Sequence, residues 1–400
     1  MKERVKTAAI ILLGLSALWL LWRNWVVGSV FTGRDGIDPP IQYAPARRDY
    51  TPSAAVPFKC AVMLDGTRTG AQYGGETEAV YEVYKPILTE AFGSARSPAV
   101  LGEAAFWEEL SLDGVFFEFS APFPLSLLAA WLSADNPGGG DAVGVGLSFA
   151  EGGVRLFWID GSGACYRAET AMSAEQPELP GLPPCLFAFE SESGEGLNPL
   201  QLLIEEPLPR PVLTVSPLPG YDDPAYIPFL EALEFFPQET PFYMREETKV
   251  YVDVDNGRSC ELSPGGLIVF TGSDNGASAD QSIAADALVA WEAISLLEPI
   301  TGLARFSISR MSQTDGTTVI EYMLTAGGVP LLLEPAVVEI EGGVIRKMTL
   351  RLFHLSAGED GFIPLPLQQA LELVPENHRL ELRYSLHDNG MMRADWAVGS

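Results

Sequence analysis

Histidine, cysteine and clustered carboxylates are the side chains from which a reactive site could be built, and their spacing here builds none. His354, His378 and His387 lie near the carboxyl end, and no two stand in the H-x-x-x-H spacing that puts paired imidazoles on one helical face for zinc. They read as surface or strand-end residues. Asp253, Asp255 and Glu261 (DVDNGRSCE) look superficially like a calcium loop, but the carboxylates and Gly257 are too closely set for an EF-hand, and a hairpin turn accounts for the glycine. Gly138 to Gly140 and Gly265-Gly266 lack the GK[ST] or helix-opening context of a phosphate cradle. Ser94, Ser97, Ser162 and Ser263 stand outside any GxSxG elbow. Cys60, Cys165, Cys185 and Cys260 form no CxxC. Buried thiols are the plainer reading of them, with a Cys165–Cys185 disulfide as the alternative. A carboxylate pair of the glycosidase kind cannot be singled out from 53 acidic residues. No catalytic residue, cofactor or metal is therefore expected, and the chain does not read as an enzyme.

With 400 residues, 47% of them hydrophobic and 20% charged, the chain can bury cores of two or three domains. Its formal charge of −28 carries no basic cluster able to track a phosphate backbone, which excludes nucleic acid as a partner.

The amino end has the pattern of a membrane anchor. Lys2, Arg4 and Lys6 precede the uncharged run TAAIILLGLSALWLLW, and a helix over residues 7–28 is long enough to cross a hydrocarbon core if Arg23 snorkels. The cations hold residues 1–6 in the cytoplasm and leave the bulk of the chain outside. A cleaved signal peptide is the competing reading, although RNWVVGSVF offers no small-x-small cleavage site. Ala9, Leu13, Ser16 and Leu20 form one stripe of this helix, with two small residues where a partner helix could approach. Residues 29–57 carry DPP, APARRDYTP and AAVP and read as an extended linker.

The elements that follow predict an α+β fold. In residues 58–214, helices are expected at Thr77 to Gly93, with Pro86 as a kink or break, at Gly102 to Leu110 and from Leu125; strands are expected from Gly114, at Gly144 to Ala150, Val154 to Ile159 and Cys165 to Glu169. Prolines crowd the sequence from Pro177 to Pro219, with CLFAF and LQLLI as edge strands between them. Residues 215–278 hold a short helix at Tyr226 to Phe236 and the hairpin KVYVDVD-NG-RSCEL, followed by LIVF. Residues 279–400 open with a helix from Ser282 to Leu297, closed by Pro299. A strand pair then leads into TTVIEYMLTAGGVPLLLEPAVVEIEGGVIRKMTLRLFHL, from Thr317 to Leu355. Its runs Val319 to Leu324, Val329 to Leu333, Val337 to Ile340 and Val344 to Phe353, divided by glycine and proline, predict an antiparallel meander. A second helix at Leu365 to Val374 and the strands Arg379 to His387 and Met391 to Val398 follow. Each helix is expected to lie across a small antiparallel sheet.

This combination resembles the YycH/YycI family of two-component system regulatory proteins. The residues that carry the resemblance begin at Ile320, IEYMLTAGGVPLLLEPAVVEIEGGVIRKMTLRLFHL, and continue through Ile363 to Leu373 and LELRYSLHDNGMMRADWAV, with Asp395 where the family pattern has proline. VYVDVDNGRSCELSPGGLIVF, KPILTEAFG, GVFFEFSAPFPLSLL and VRLFWIDGSGACYRA are closer to YycH than to YycI. The resemblance implies a single-pass, extracytoplasmic regulator that associates with a sensor histidine kinase and a sister single-pass regulator, and it transfers no functional side chain. The helix-over-sheet units also resemble PepSY modules, which makes an anchored peptide or ligand binder, or a protease inhibitor, the second reading.

Overall fold

Alternating apolar and polar residues, punctuated by glycine turns, fold a large share of the described residues into antiparallel strands. A computed structural model describes residues 56–400 except 136–137, 151–152, 178, 180, 192–196, 205–208, 274–281, 373–379, 388–389 and 399–400. The expected anchor and most of the linker lie outside the described residues, among which no helix is long and apolar enough to cross a membrane.

In chain order, the first elements are β1 (Lys59–Leu64), β2 (Thr67–Gln72), α1 (Gly75–Ser94), β3 (Arg96–Leu101), α2 (Glu103–Ser111), β4 (Gly114–Pro124), α3 (Leu125–Leu132), β5 (Asp141–Ala150), β6 (Gly153–Ile159) and β7 (Cys165–Glu169). The proline-rich stretch contributes β8 (Cys185–Phe187), β9 (Leu202–Ile204) and β10 (Arg210–Ser216). Next come α4 (Ile227–Ala232), β11 (Phe242–Arg245), β12 (Thr248–Asp253), β13 (Arg258–Leu262), β14 (Leu267–Thr271), α5 (Ile283–Ile294), α6 (Glu298–Thr301), β15 (Ala304–Thr314) and β16 (Thr317–Ala326). The carboxyl part is β17 (Val329–Pro330), β18 (Ala336–Glu341), β19 (Val344–Arg351), β20 (His354–Phe362), α7 (Leu367–Glu372), β21 (Leu380–Leu386) and β22 (Met391–Val398).

Among the described residues the strands form a seven-stranded sheet ordered β2-β1-β4-β5-β6-β7-β3, a nine-stranded sheet ordered β11-β12-β13-β14-β19-β18-β16-β15 with β17 beside β16, a four-stranded sheet ordered β20-β10-β22-β21, and the pair β8-β9. The fold class is thus α+β, built on antiparallel sheets. Helix α1 packs Val80, Tyr81, Tyr84, Leu88 and Phe92 into the first core, while Val83 is exposed. Pro86 neither ends α1 nor lies on its buried side. Water can cover the carbonyl that the missing N–H leaves free.

Helix α5 starts at Ser282, whose hydroxyl accepts from Ala285 N–H at 3.3 Å, a cap contributing about 1 kcal/mol. Its buried Ala287, Ala290, Trp291 and Ile294 pack on β15, β16, β18 and β19 as expected of a helix over a sheet. Pro299 does not close this helical stretch; it occupies the first turn of α6, where its missing N–H costs nothing, and Gly302 at positive φ ends it.

The meander is real but differs in two places. Val329 to Leu333 supplies only the two-residue β17; Leu331 still donates its N–H to the Leu324 carbonyl of β16 at 2.8 Å, but it also bridges Tyr384 of β21, and Leu332 N–H turns to the Tyr384 carbonyl. The run Val344 to Phe353 stops at Arg351, and His354 begins a separate strand, β20, in the four-stranded sheet. The turn between β18 and β19 uses Gly342 and Gly343 at φ 57° and 77°, as a tight hairpin requires.

The division expected at 214/215 falls inside β10, which pairs with β20 on one side and β22 on the other. That expected at 278/279 lies outside the described residues, while β14 and β19 join the flanking regions in one sheet. Residues 50–400 cluster as one compact unit. Helix α7 contacts β9 and buries Leu367 and Ala370 with Leu203 and Leu380, so its partners include a strand from the proline-rich stretch.

Candidate functional site

Among the described residues, the histidines and cysteines that could do chemistry are taken up by the fold or lie singly on its surface. His354 Nδ1 lies 2.7 Å from the Ile300 carbonyl, and His387 Nε2 lies 3.5 Å from Asp395 on the surface; His378 lies outside the described residues. Among the described residues no three His, Cys, Asp or Glu side chains stand where they could share a metal ion. All four cysteines are free and buried, so Cys165 and Cys185 form no disulfide. Burial pushes the thiols of Cys60 and Cys165 up to about 11 and those of Cys185 and Cys260 up to about 12. Such groups are protonated and poorly nucleophilic near neutrality.

Asp253 braces the β12–β13 hairpin. One of its oxygens accepts from Asn256 N–H at 3.1 Å, and the other from Asn256 Nδ2 at 2.8 Å and Arg258 Nε at 3.1 Å. Those bonds, the Asn256 amide foremost, hold its carboxyl below the usual range. Glu261 pairs with Arg245 across the sheet instead of joining Asp253. Gly266, at φ 78°, closes the β13–β14 turn by donating its N–H to the Ser263 carbonyl at 3.0 Å. Ser94, Ser162 and Ser263 bond to Glu90 O, Asp160 and Thr248 respectively, and Ser97 sits at a positive-φ irregularity of β3.

One buried titratable cluster has no signature in the sequence. Glu109 on α2, 4% exposed, accepts from Arg167 at 2.7 Å, Arg155 at 3.1 Å and Ser148 at 2.6 Å, clamping the helix to β5, β6 and β7. Both arginines also reach Glu169, at 3.6 and 3.5 Å. A carboxylate held by two guanidinium groups and a hydroxyl is poorly placed to take a proton from a substrate. Lys59 and Glu118 form a second buried pair, and Lys59 also donates to the Leu200 carbonyl at 2.9 Å. These are fasteners between elements.

The remaining features are surfaces. A cavity of about 140 Å³, lined by Leu218, Tyr221, Tyr226, Leu262, Pro264 and Ile268, is smaller than the ~300 Å³ at which drug-sized pockets begin. Strand β11 exposes Phe242, Tyr243 and Met244 at 53, 50 and 46% on the outermost strand of the nine-stranded sheet, with Phe236 exposed in the same region of the chain. Pro241 was the only sequence signal that a strand begins there. The turn that returns the chain places Glu246 at φ 56°, a conformation glutamate does not advertise. Ala9, Leu13, Ser16 and Leu20 lie outside the described residues. Comparison with protein-family models, curated proteins and solved structures found no match.

Proposed function

We propose that this chain is a membrane-anchored extracytoplasmic regulator that associates with a sensor histidine kinase of a two-component system and modulates its activity. The observation that carries the reading is the sequence resemblance over Ile320 to Val398, the stretch that forms most of β16, then β17 to β22 and α7. The anchor pattern of residues 7–28 supports it independently. A regulator of this kind acts through contact and has no need of a reactive centre, and a sister single-pass regulator is its second partner.

Residues 1–6 stay in the cytoplasm, residues 7–28 cross the membrane, and the sheets stand outside. The helix packs sideways on a kinase helix through Ala9, Leu13, Ser16 and Leu20. Crosslinking in native membranes followed by affinity capture tests the reading; recovery of neither a histidine kinase nor a second single-pass protein would overturn it. Replacing Ala9 and Ser16 by bulky residues should weaken the kinase association, and unchanged co-purification with unchanged reporter output would remove the helix from the contact.

The second reading, an anchored peptide or ligand binder of the PepSY-like kind, is favoured by α5 lying across the sheet. The 140 Å³ cavity argues against a small ligand of drug size.

A further inference from the structure

Sheet edges invite other strands, and natural proteins cover or distort them. Here β2 is bridged by the proline-rich stretch, where Gly70 N–H donates to the Pro183 carbonyl at 3.0 Å. Strand β3 carries Pro98 and a register irregularity, and β15 meets β4, with Ser120 donating to the Ile308 carbonyl at 2.6 Å. Leu303 N–H bonds Leu355 of β20, and Leu332 N–H bonds Tyr384 of β21. Strand β11 has no such cover: it pairs with β12 alone among the described strands, and all four of its residues are exposed.

The direction of its backbone groups follows from one bond. Val252 N–H donates to the Pro241 carbonyl at 3.0 Å, and Tyr243 stands opposite Val250 in the register. Antiparallel pairing alternates, so Pro241, Tyr243 and Arg245 face β12 while the N–H and C=O of Phe242 and Met244 point away from the sheet. Any antiparallel strand added here must bond to those two residues.

We propose that the outer edge of β11 binds β11 of a second copy of this chain, with Phe242 paired to Met244 and Tyr243 opposite Tyr243 across a two-fold axis. The occupant follows from self-complementarity in the register that the edge allows. Phe242 and Met244 exchange both backbone bonds with Met244 and Phe242 of the second copy, and thioether meets aromatic ring, a favourable contact. Tyr243 meets its own copy in the closer, non-hydrogen-bonded position on the opposite face. The only charged side chain of β11, Arg245, stands opposite Pro241 and is already paired with Glu261. No like charges face each other within the ladder, and the repulsion of two acidic chains is screened beyond ~8 Å at physiological salt. The contact is isologous and closes at two copies.

The test is disulfide crosslinking of the full chain in membranes. Tyr243→Cys should give a dimer-sized band under mild oxidation, since opposed residues at a non-hydrogen-bonded site lie within disulfide reach. Phe242→Cys and Met244→Cys, each expressed alone, should not, because like residues are then displaced diagonally. Co-expressing those two should restore the band. Adding Met244→Pro to Tyr243→Cys removes an outward donor from each copy and leaves the bonds to β12 intact. Dimer formation should weaken about thirty-fold, equivalent to about 2 kcal/mol. Maleimide labelling reports the folded state, since the four native thiols are buried while the introduced one is exposed. An introduced thiol at 243 that labels without dimerising, bands of equal strength at all three positions, or capture of a different protein at Tyr243→Cys would each overturn the proposal.

Discussion

Two fully buried tyrosines should respond to the same substitution with opposite sign. Tyr384 on β21 donates its hydroxyl to the Pro211 carbonyl at 2.9 Å, joining β21 to β10 within the four-stranded sheet. The Tyr322 hydroxyl on β16 is buried with no hydrogen-bond partner among the described residues, its ring edge-on to Phe306 at 6.4 Å. Tyr384→Phe removes a net hydrogen bond of about 1 kcal/mol and strands a buried carbonyl, so a loss of about 1–2 kcal/mol is expected. Tyr322→Phe removes a hydroxyl that gains nothing in the fold and was desolvated to enter it, so a gain of roughly 1 kcal/mol is expected. Thermal unfolding of the full chain in detergent, followed by intrinsic fluorescence, should place the two variants on opposite sides of wild type. The separation should be a few degrees, at about 2 °C per kcal/mol for a large cooperative unit. A Tyr322→Phe variant that melts as low as Tyr384→Phe would refute the reasoning, because it would show that the unpaired hydroxyl contributes stability.

Three further outcomes follow from the buried groups. Glu109→Gln leaves Arg155 and Arg167 without their shared carboxylate; since both arginines are about one-third exposed and stay hydrated, the cost should be about 1–2 kcal/mol, read by denaturant unfolding. Asp253 has its carboxyl held down by Asn256 and Arg258, so its contribution is fully present above the usual carboxylate range and disappears as pH falls through the depressed folded value. Asp253→Asn should therefore flatten part of the acid limb of a stability-pH curve and leave the slope near neutrality unchanged. Cys60, Cys165, Cys185 and Cys260 should resist iodoacetamide at pH 8 and react together on unfolding, as mass spectrometry would show; rapid labelling of any of them in the folded chain would contradict its burial.

Local signals were legible wherever one element sufficed to define them. Helix α5 followed from apolar spacing and Ser282, the β12–β13 hairpin from Asn256-Gly257, and the β18–β19 turn from Gly342-Gly343. Choices made between distant segments were not. Nothing local says that RPVLTVS, embedded among prolines, leaves the preceding region to lie between β20 and β22. Nor does VPLLL, with every mark of a strand, announce that Leu331 bridges Tyr384 beyond its own sheet. Glu109 was one carboxylate among many until α2 set it against Arg155 and Arg167. The edge of β11 was unreadable because exposure belongs to the assembled sheet, and the tyrosine, methionine and phenylalanine there resemble core residues in sequence.

The insertion of β10 among the carboxyl-terminal strands also governs the order in which the chain can be completed. The Pro211 carbonyl waits 173 residues for the Tyr384 hydroxyl, and Ser216 waits 140 for Ser356. As the chain leaves the ribosome, the seven-stranded sheet holds all of its strands by Glu169, but RPVLTVS has none of its pairing partners until β20 and β22 emerge. Such long-range pairing is slow and leaves an apolar strand open in the interval. A ribosome stalled before Met391 would therefore carry a finished first sheet and a β10 without its β22 partner, which makes β22 the strand on which closure of the four-stranded sheet waits.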